Sequence, residues 1–588
     1  MGDYEIKDIY QGGYSSLSPE YGNVFTGYRV ATQSLGITTD PRVADVINEF
    51  SQKLAPGTKT VELSMIQPEI FESVPKQHLQ EVKRLSKLTG VDVTVHGPLV
   101  EASGISKDGF SEISRQGAER QMLLALERAQ EINPDGSSPV TFHSTAVLPA
   151  PEIEKTKKGE MIKSTLIINA DNGRIDRVET KERFFPGEVR EEKITNEILK
   201  KNEEAWQNAL THLAYNTERA GELIRHYGAT TILSEAEKKA GKLVSPENRQ
   251  AITSFNVGKA FLDDSYRELK ELCDIAYKYV PENEQKIIKD FYNEITPNIK
   301  KINETKNVQE NIQLREEIVE KGIEVLNQLT TPPQIIKPLD EFAEEKTVNT
   351  FANVAFNAYK KVRSGDWKAS PIISIENPPA GNAFARGEDL KNIVEKSREK
   401  FVEKAVQEGI SKKEAEKQAE KLIGVTWDVG HINMLRGKGY DEKDIIKETE
   451  KVAPFVKHVH LSDNFGFEHT ELPMGMGNVP FKEIMEKLGK KGFEAKKIIE
   501  AGNWWQHFKT SPVAETMRAV GSPVYSMAMG PYWNQSVGLH QGYFSGYGSF
   551  LPQVNYETFG AGFSQLPAEL GGDRGGGAGG RMSGRGME

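Results

Sequence analysis

Cysteine is almost absent: Cys273 is the one thiol in 588 residues, which excludes a disulfide within the chain. No run of about 18 apolar residues occurs, so no membrane-spanning helix is expected. Nor does an apolar stretch follow a basic start, so no leader is expected either. A soluble protein of a reducing compartment, the cytoplasm, is the expectation. Basic charge is not in excess: 75 Lys and Arg face 85 Asp and Glu, a formal charge of -10 with pI near 5.8. The chain as a whole therefore carries no basic footprint for nucleic acid, although bound divalent ions would make a site locally positive. A phosphate-cradling glycine loop is missing too, since Arg436-Gly-Lys-Gly439 lacks the necessary spacing and reads as an ordinary loop.

What is present is a procession of short apolar runs, each ending in a residue able to bind a metal. Pro371 to Glu376 and Ile423 to Asp428 end in carboxylates, with His431 just after the second. Phe455 to His460 ends in imidazole and Lys496 to Glu500 in a third carboxylate. A parallel barrel strand is buried on both faces and so reads as an apolar run, while the residue at its C-terminal end projects into the mouth. Any one of these carboxylates alone would read as a helix N-cap. Four in order, interleaved with helix-like sequence, predict a (β/α)8 barrel with its site at the C-terminal rim.

The first half extends the series. Gly90 to His96 and Ser138 to His143 are runs ending in histidine, Lys59 to Ser64 reads as an earlier strand, and Tyr28 to Gln33 as the first. Of 11 histidines, five (His96, His143, His431, His460, His469) fall at or just after strand ends. His78, His212 and His226 lie in polar helical sequence and read as surface residues. With three carboxylates, the five predict a polynuclear metal site. His458, two positions deeper than His460, reads as a hydrogen-bonded residue of the barrel interior. Trp504 and Trp505 read either as a cap on the mouth or as a stacking surface.

A barrel of roughly 250 residues cannot account for the whole chain. The expected layout is a first half-barrel over 1–155, an insertion over 156–345, a second half-barrel over 346–510, an irregular aromatic and glycine-rich extension over 511–570, and a disordered Gly/Arg tail over 571–588. Asp171-Asn-Gly173 between apolar runs predicts a β-hairpin, and the charged helix-period sequence from about Asn196 to Leu329 predicts a helical bundle. Lid, dimer interface and partner platform are all open roles for this insertion. Thr350 to Tyr359 reads as the barrel helix before Glu376, and Lys391 to Lys421 as a second, smaller helical insertion.

The ordered set His96 in Val-His-Gly-Pro, His143, Glu376 in Ile-Glu-Asn, Asp428 with His431 in Asp-Val-Gly-His, His460 in His-Leu-Ser-Asp, His469 and Glu500 resembles the xylose isomerase-like barrels that include endonuclease IV. The resemblance covers about residues 25–150 and 350–505 and implies two competing chemistries. In the first, phosphodiester hydrolysis on DNA with abasic sites, two or three zinc ions are implied. His96, His143 and Glu376 would hold one, Glu376 would bridge to a second held with Asp428, His460 and Glu500, and His431 with His469 would serve a third. In the second, isomerisation or epimerisation of a small sugar, one manganese or magnesium ion on Glu376, Asp428, His460 and Glu500 is implied. Glu376 and Glu500 would then be the catalytic acid and base. A third reading is a non-catalytic metal-binding barrel used in assembly, with an oligomer or protein partner on the insertion. Two departures from the nuclease pattern stand out. Phe467 occupies the place of the aspartate that would complete the third zinc, and Leu99 that of a DNA-wedging tyrosine.

Overall fold

A computed structural model describes residues 30–520 apart from 31–33, 55–56, 137, 157–158, 182–192, 240–244, 503 and 505–511. Walking the chain, the strands are β1 Leu35–Thr38, β2 Thr60–Ser64, β3 Asp92–His96, β4 Ile105–Ser106, β5 Gly109–Phe110, β6 Pro139–His143 and β7 Glu152–Thr156. They continue as β8 Gly159–Asn169, β9 Ile175–Glu179, β10 Ile336–Pro338, β11 Ile372–Glu376, β12 Ile423–Asp428, β13 Val456–Leu461 and β14 Lys496–Ile499.

Eight of these close into a barrel in the order β1-β2-β3-β6-β11-β12-β13-β14, every neighbouring pair parallel, with β14 returning to β1. The strands read as apolar because they are buried on both faces: every residue of β2 and β12 is buried. The outer ring follows from helices with one apolar stripe. Glu112–Ile132 turns Met122, Ala125, Leu126 and Ala129 inward, and its N-terminus is capped by Ser111, whose hydroxyl accepts from the Ser114 amide at 3.3 Å. Leu339–Arg363 buries Phe342, Phe351, Val354, Ala355 and Tyr359.

The insertion leaves after β6 and returns before β11. The Asp171-Asn-Gly turn does join two antiparallel strands, β8 and β9. β7 and β10 also pair with β8, which makes a four-stranded sheet larger than the hairpin expected from the turn alone. Beyond it, helices Ile194–Lys239, Pro246–Tyr279, Glu282–Glu304 and Val308–Asn327 form a bundle with its own core, including Leu213, Leu269, Phe291, Ile318 and Leu326. Pro297 lies inside a helix rather than ending one.

Three expectations need correction. The first strand is β1 at Leu35–Thr38; of the Tyr28–Gln33 segment only Val30 is described, outside any strand. The Lys391–Lys421 run is not an addition: helix Gly387–Gln407 buries Leu390, Ile393, Val394 and Phe401 and is the barrel's own covering helix, with Lys412–Leu422 packed beside it. Its surface charges hid that stripe. Residues after Ser511 are not all irregular, because Pro512–Ala519 is a helix that buries Val513 and Met517 in the barrel core. Residues 521–588, with the glycine-rich tail, lie outside the described residues, as does Trp505. Among the described residues no helix is long and apolar enough to cross a membrane.

Candidate metal centre

Strand register assembles the site. Glu376 is paired with His143, and Asp428 with His460, so four candidate ligands sit side by side on three adjacent strands and β6. His96 ends β3 next to β6, and Glu500 follows β14, its amide donating to the Leu461 carbonyl at 2.9 Å. His431 lies in the short helix Val429–Asn433 that begins where β12 stops. Gly430 permits that tight passage, since a Cβ there would meet the Ser462 Oγ at 2.1 Å. The same logic holds for Gly97 after His96, where a Cβ would lie 2.4 Å from the Phe142 ring.

Glu376 is the hub. Its Oε2 lies 3.0 Å from His96 Nε2 and 3.3 Å from His143 Nε2, while its Oε1 lies 2.7 Å from His460 Nδ1. His460 Nδ1 is also 3.2 Å from Glu500 Oε2. Asp428 serves two roles: Oδ1 accepts from the His431 amide at 2.8 Å as a helix cap, while Oδ2 is buried with no hydrogen-bond partner. The carboxylate thus caps the helix through one oxygen and keeps the other for a further partner. Within reach of a single ion lie His96, His143 and Glu376 on one side, and Glu376, Asp428, His460 and Glu500 on the other. Separations near 3 Å between donor atoms match neighbours around an ion bound at about 2.0–2.2 Å.

Two histidines are fixed in the tautomer that a metal needs. The carbonyls of Gly97, at 3.1 Å, and Asn377, at 2.7 Å, can only accept. Nδ1 of His96 and of His431 must therefore donate, which leaves Nε2 of each as the ligand atom. His431 Nε2 faces His469 Nε2 at 2.8 Å, and Glu471 Oε1 lies 3.6 Å from that His469 atom. Glu471 has a left-handed backbone, φ 46°, unusual for a residue with a side chain. Phe467 by contrast is 77% exposed and takes no part.

Burial pulls His96 down, but Glu376 with Glu500 and Glu62 outweighs it and raises the imidazole to about 9. Burial holds His143 down to about 4 despite Glu376, with His96 repelling a second proton. Burial and the nearby Glu500 and Glu376 push Asp428 well above the usual carboxylate range. Burial opposes charge on Glu376 also, yet the imidazoles of His460 and His143 keep it well below that range. His431 and His469 are lowered, chiefly by burial. Mixed nitrogen and oxygen donors with an orphaned carboxylate oxygen fit zinc well. The side chains of His143, Glu500 and His469 are 15%, 17% and 34% exposed while the other ligands are buried, so access lies on their side.

Of the eight residues expected at the site, six lie in the two groups that share Glu376, while His431 and His469 form a separate pair, His431 Nε2 lying 3.8 Å from Asp428 Oδ2. One was overlooked: Glu62, fully buried in the middle of β2, lies 3.2 Å from His460 Nε2 and 3.7 Å from His458 Nε2. An acidic residue flanked by Val61 and Leu63 inside an apolar run was its signal. His458 is buried as expected, its Nδ1 3.3 Å from the Thr141 hydroxyl. Of the histidines read as surface residues, His212 and His226 are exposed and His78 half-buried.

Residues 409–518 match the family model described as xylose isomerase-like TIM barrel. That stretch contains β12, β13 and β14 and therefore Asp428, His431, His460, His469 and Glu500. An uncharacterized protein, MJ1311, of Methanocaldococcus jannaschii is 31% identical over 83 residues, 14% of this chain. The chain spans 27% of that relative's length. A solved D-tagatose 3-epimerase-like protein aligns over 84% of this chain and 98% of its own, at 13% identity and a TM-score of 0.33.

Proposed function

We propose that the barrel is a metal-dependent enzyme with a polynuclear zinc centre that hydrolyses a phosphodiester, with DNA containing abasic sites as the first substrate class to test. One observation carries this reading: the two oxygens of Glu376 face different ligand groups, Oε2 the pair His96 and His143, Oε1 the His460 side. That is the arrangement of a bridging carboxylate. A single-ion site would need only Glu376, Asp428, His460 and Glu500 and would leave His96 and His143, both turned to Glu376, without a task. Zinc bound there would supply Lewis acidity to a water and to phosphoryl oxygens.

The chain's own residues do the rest. Glu376 and Glu500 flank His460 and fix where positive charge can be held, and the buried walls strengthen every such interaction. Glu62, Glu376, Asp428 and Glu500 converge on the interior, and divalent cations held among them would favour the approach of an anionic substrate. His469 and Glu471, at the exposed edge, are placed to meet substrate or a further ion.

The second reading, sugar isomerisation or epimerisation with one ion, draws support from the completeness of the Glu376, Asp428, His460, Glu500 quartet. The two separate on metal content and substrate. Zinc-loaded protein is expected to carry two or three ions per chain and to nick an abasic duplex. One ion per chain, no cleavage, and conversion of a ketose in manganese would replace the hydrolase with the isomerase.

A further inference from the structure

Directly behind His460, on the side away from the mouth, three buried atoms have no hydrogen-bond partner: Glu62 Oε1, His458 Nε2 and His460 Nε2. Glu62 and both histidine side chains are 0% exposed. Burying a carboxylate in a barrel interior is costly unless it is compensated. Glu62 has one firm partner, the Thr94 hydroxyl, which donates to Oε2 at 3.0 Å across the β2–β3 register. Its other oxygen stands 3.2 Å from His460 Nε2, approaching obliquely.

The ligand set suggests what this carboxylate does. His96 and His431 each present Nε2 to the centre because a backbone carbonyl holds the proton on Nδ1. His460 is turned the other way: Nδ1 faces Glu376 and Glu500, and no carbonyl lies behind it. Glu62 is the group that stands at its back. We propose that Glu62 is a positioning residue for the metal centre, keeping the His460 proton on Nε2 so that the Nδ1 lone pair is aimed at the quartet. A carboxylate behind a ligand imidazole also makes that imidazole a stronger donor. This rests on the metal-centre reading above.

A competing use of the same atoms, an inner ion held by Glu62, His458 and His460, would demand that His460 give up both ring protons and bridge two ions.

The test is zinc titration of the chelator-stripped full-length chain against a chromophoric competitor, for wild type, Glu62→Gln, Thr94→Val and His458→Gln. Glu62→Gln is expected to keep the wild-type stoichiometry and bind the quartet ion about 10- to 100-fold more weakly. Thr94→Val, which only frees Glu62 Oε2, is expected to shift affinity less, in the same direction. With cobalt(II) as the probe, the visible bands of the Glu62→Gln site should shift, because the donor strength of His460 changes; a purely structural role for Glu62 would leave them in place. Wild-type affinity and bands in Glu62→Gln would overturn the proposal, and should that variant not fold, wild-type affinity in Thr94→Val would do so. Loss of one ion in both Glu62→Gln and His458→Gln would overturn it in favour of an inner ion. A wild-type chain that takes up no zinc removes the metal-centre reading itself, a result distinct from all of these.

Discussion

The barrel and the inserted bundle bury opposite kinds of side chain. Inside the bundle, Leu213, Leu269, Phe291, Ile318 and Leu326 pack on one another, and its lone thiol, Cys273, is pushed up to about 12 by burial and is inert. Ion pairs such as Arg225–Glu316 lie towards its surface, and its buried Glu284 is satisfied by the Thr330 and Thr331 hydroxyls. In and beneath the barrel mouth, Glu62, His96, Glu376, Asp428, His431, His458 and His460 are all buried. An apolar core is enough to hold four helices together. Packing three carboxylates and four imidazoles into a strand barrel weakens it unless something neutralises them, a burden that the proposed metal ions would lift and that the bundle does not carry.

The sharpest way to break this contrast is Glu376→Gln. Activity should fall by roughly 10⁴-fold or more, with zinc content reduced and far-ultraviolet circular dichroism unchanged. An active, fully loaded variant would remove the bridging role. His143→Ala should cost one ion per chain, by elemental mass spectrometry, and lower hydrolysis at least about 100-fold, more than is typical for residues one step removed from a metal. An unaltered zinc content would leave the single-ion quartet as the whole site.

A proton count tests the electrostatics. An ion can bind His96 Nε2 only after the proton leaves, and with that imidazole at about 9 a proton must be displaced at any lower pH. Apparent zinc affinity should therefore rise by about tenfold per pH unit up to about pH 9 for this one group. His143, at about 4, should release nothing above that pH. Calorimetry at pH 7.5 in buffers of different ionisation enthalpy reads the number directly, and zero protons released would contradict the Glu376–His96 pairing. The mildest expected effect on the centre comes from the bundle: Phe291→Ala should destabilise by about 3–5 kcal/mol in denaturant unfolding yet leave zinc content unaltered. A loss of zinc in that variant would show that the two regions are not separate in purpose.

How much could be read beforehand follows from where each residue sits on its strand. Glu376, Asp428 and His460 were legible because an apolar run stops at them, and His96 and His143 because theirs do. Glu62 was not, because it lies inside β2 where the apolar pattern merely pauses, and only three-dimensional register reveals that it backs His460. The Gly387–Gln407 helix was misread because its exposed face is so rich in Lys and Glu that its apolar stripe is diluted. Glu471, which reaches His469 from two residues beyond through a left-handed turn, carried no local pattern.

The path of the chain has a consequence for how the protein is made. His143 and Glu376 are adjacent in space but separated by more than two hundred residues, the whole insertion lying between β6 and β11. At about 5–20 residues per second on the ribosome, the strand that ends in His143 waits on the order of 10–50 s for its partner. Through that interval β6 has a bare hydrogen-bonding edge, a state that invites mispairing with other chains.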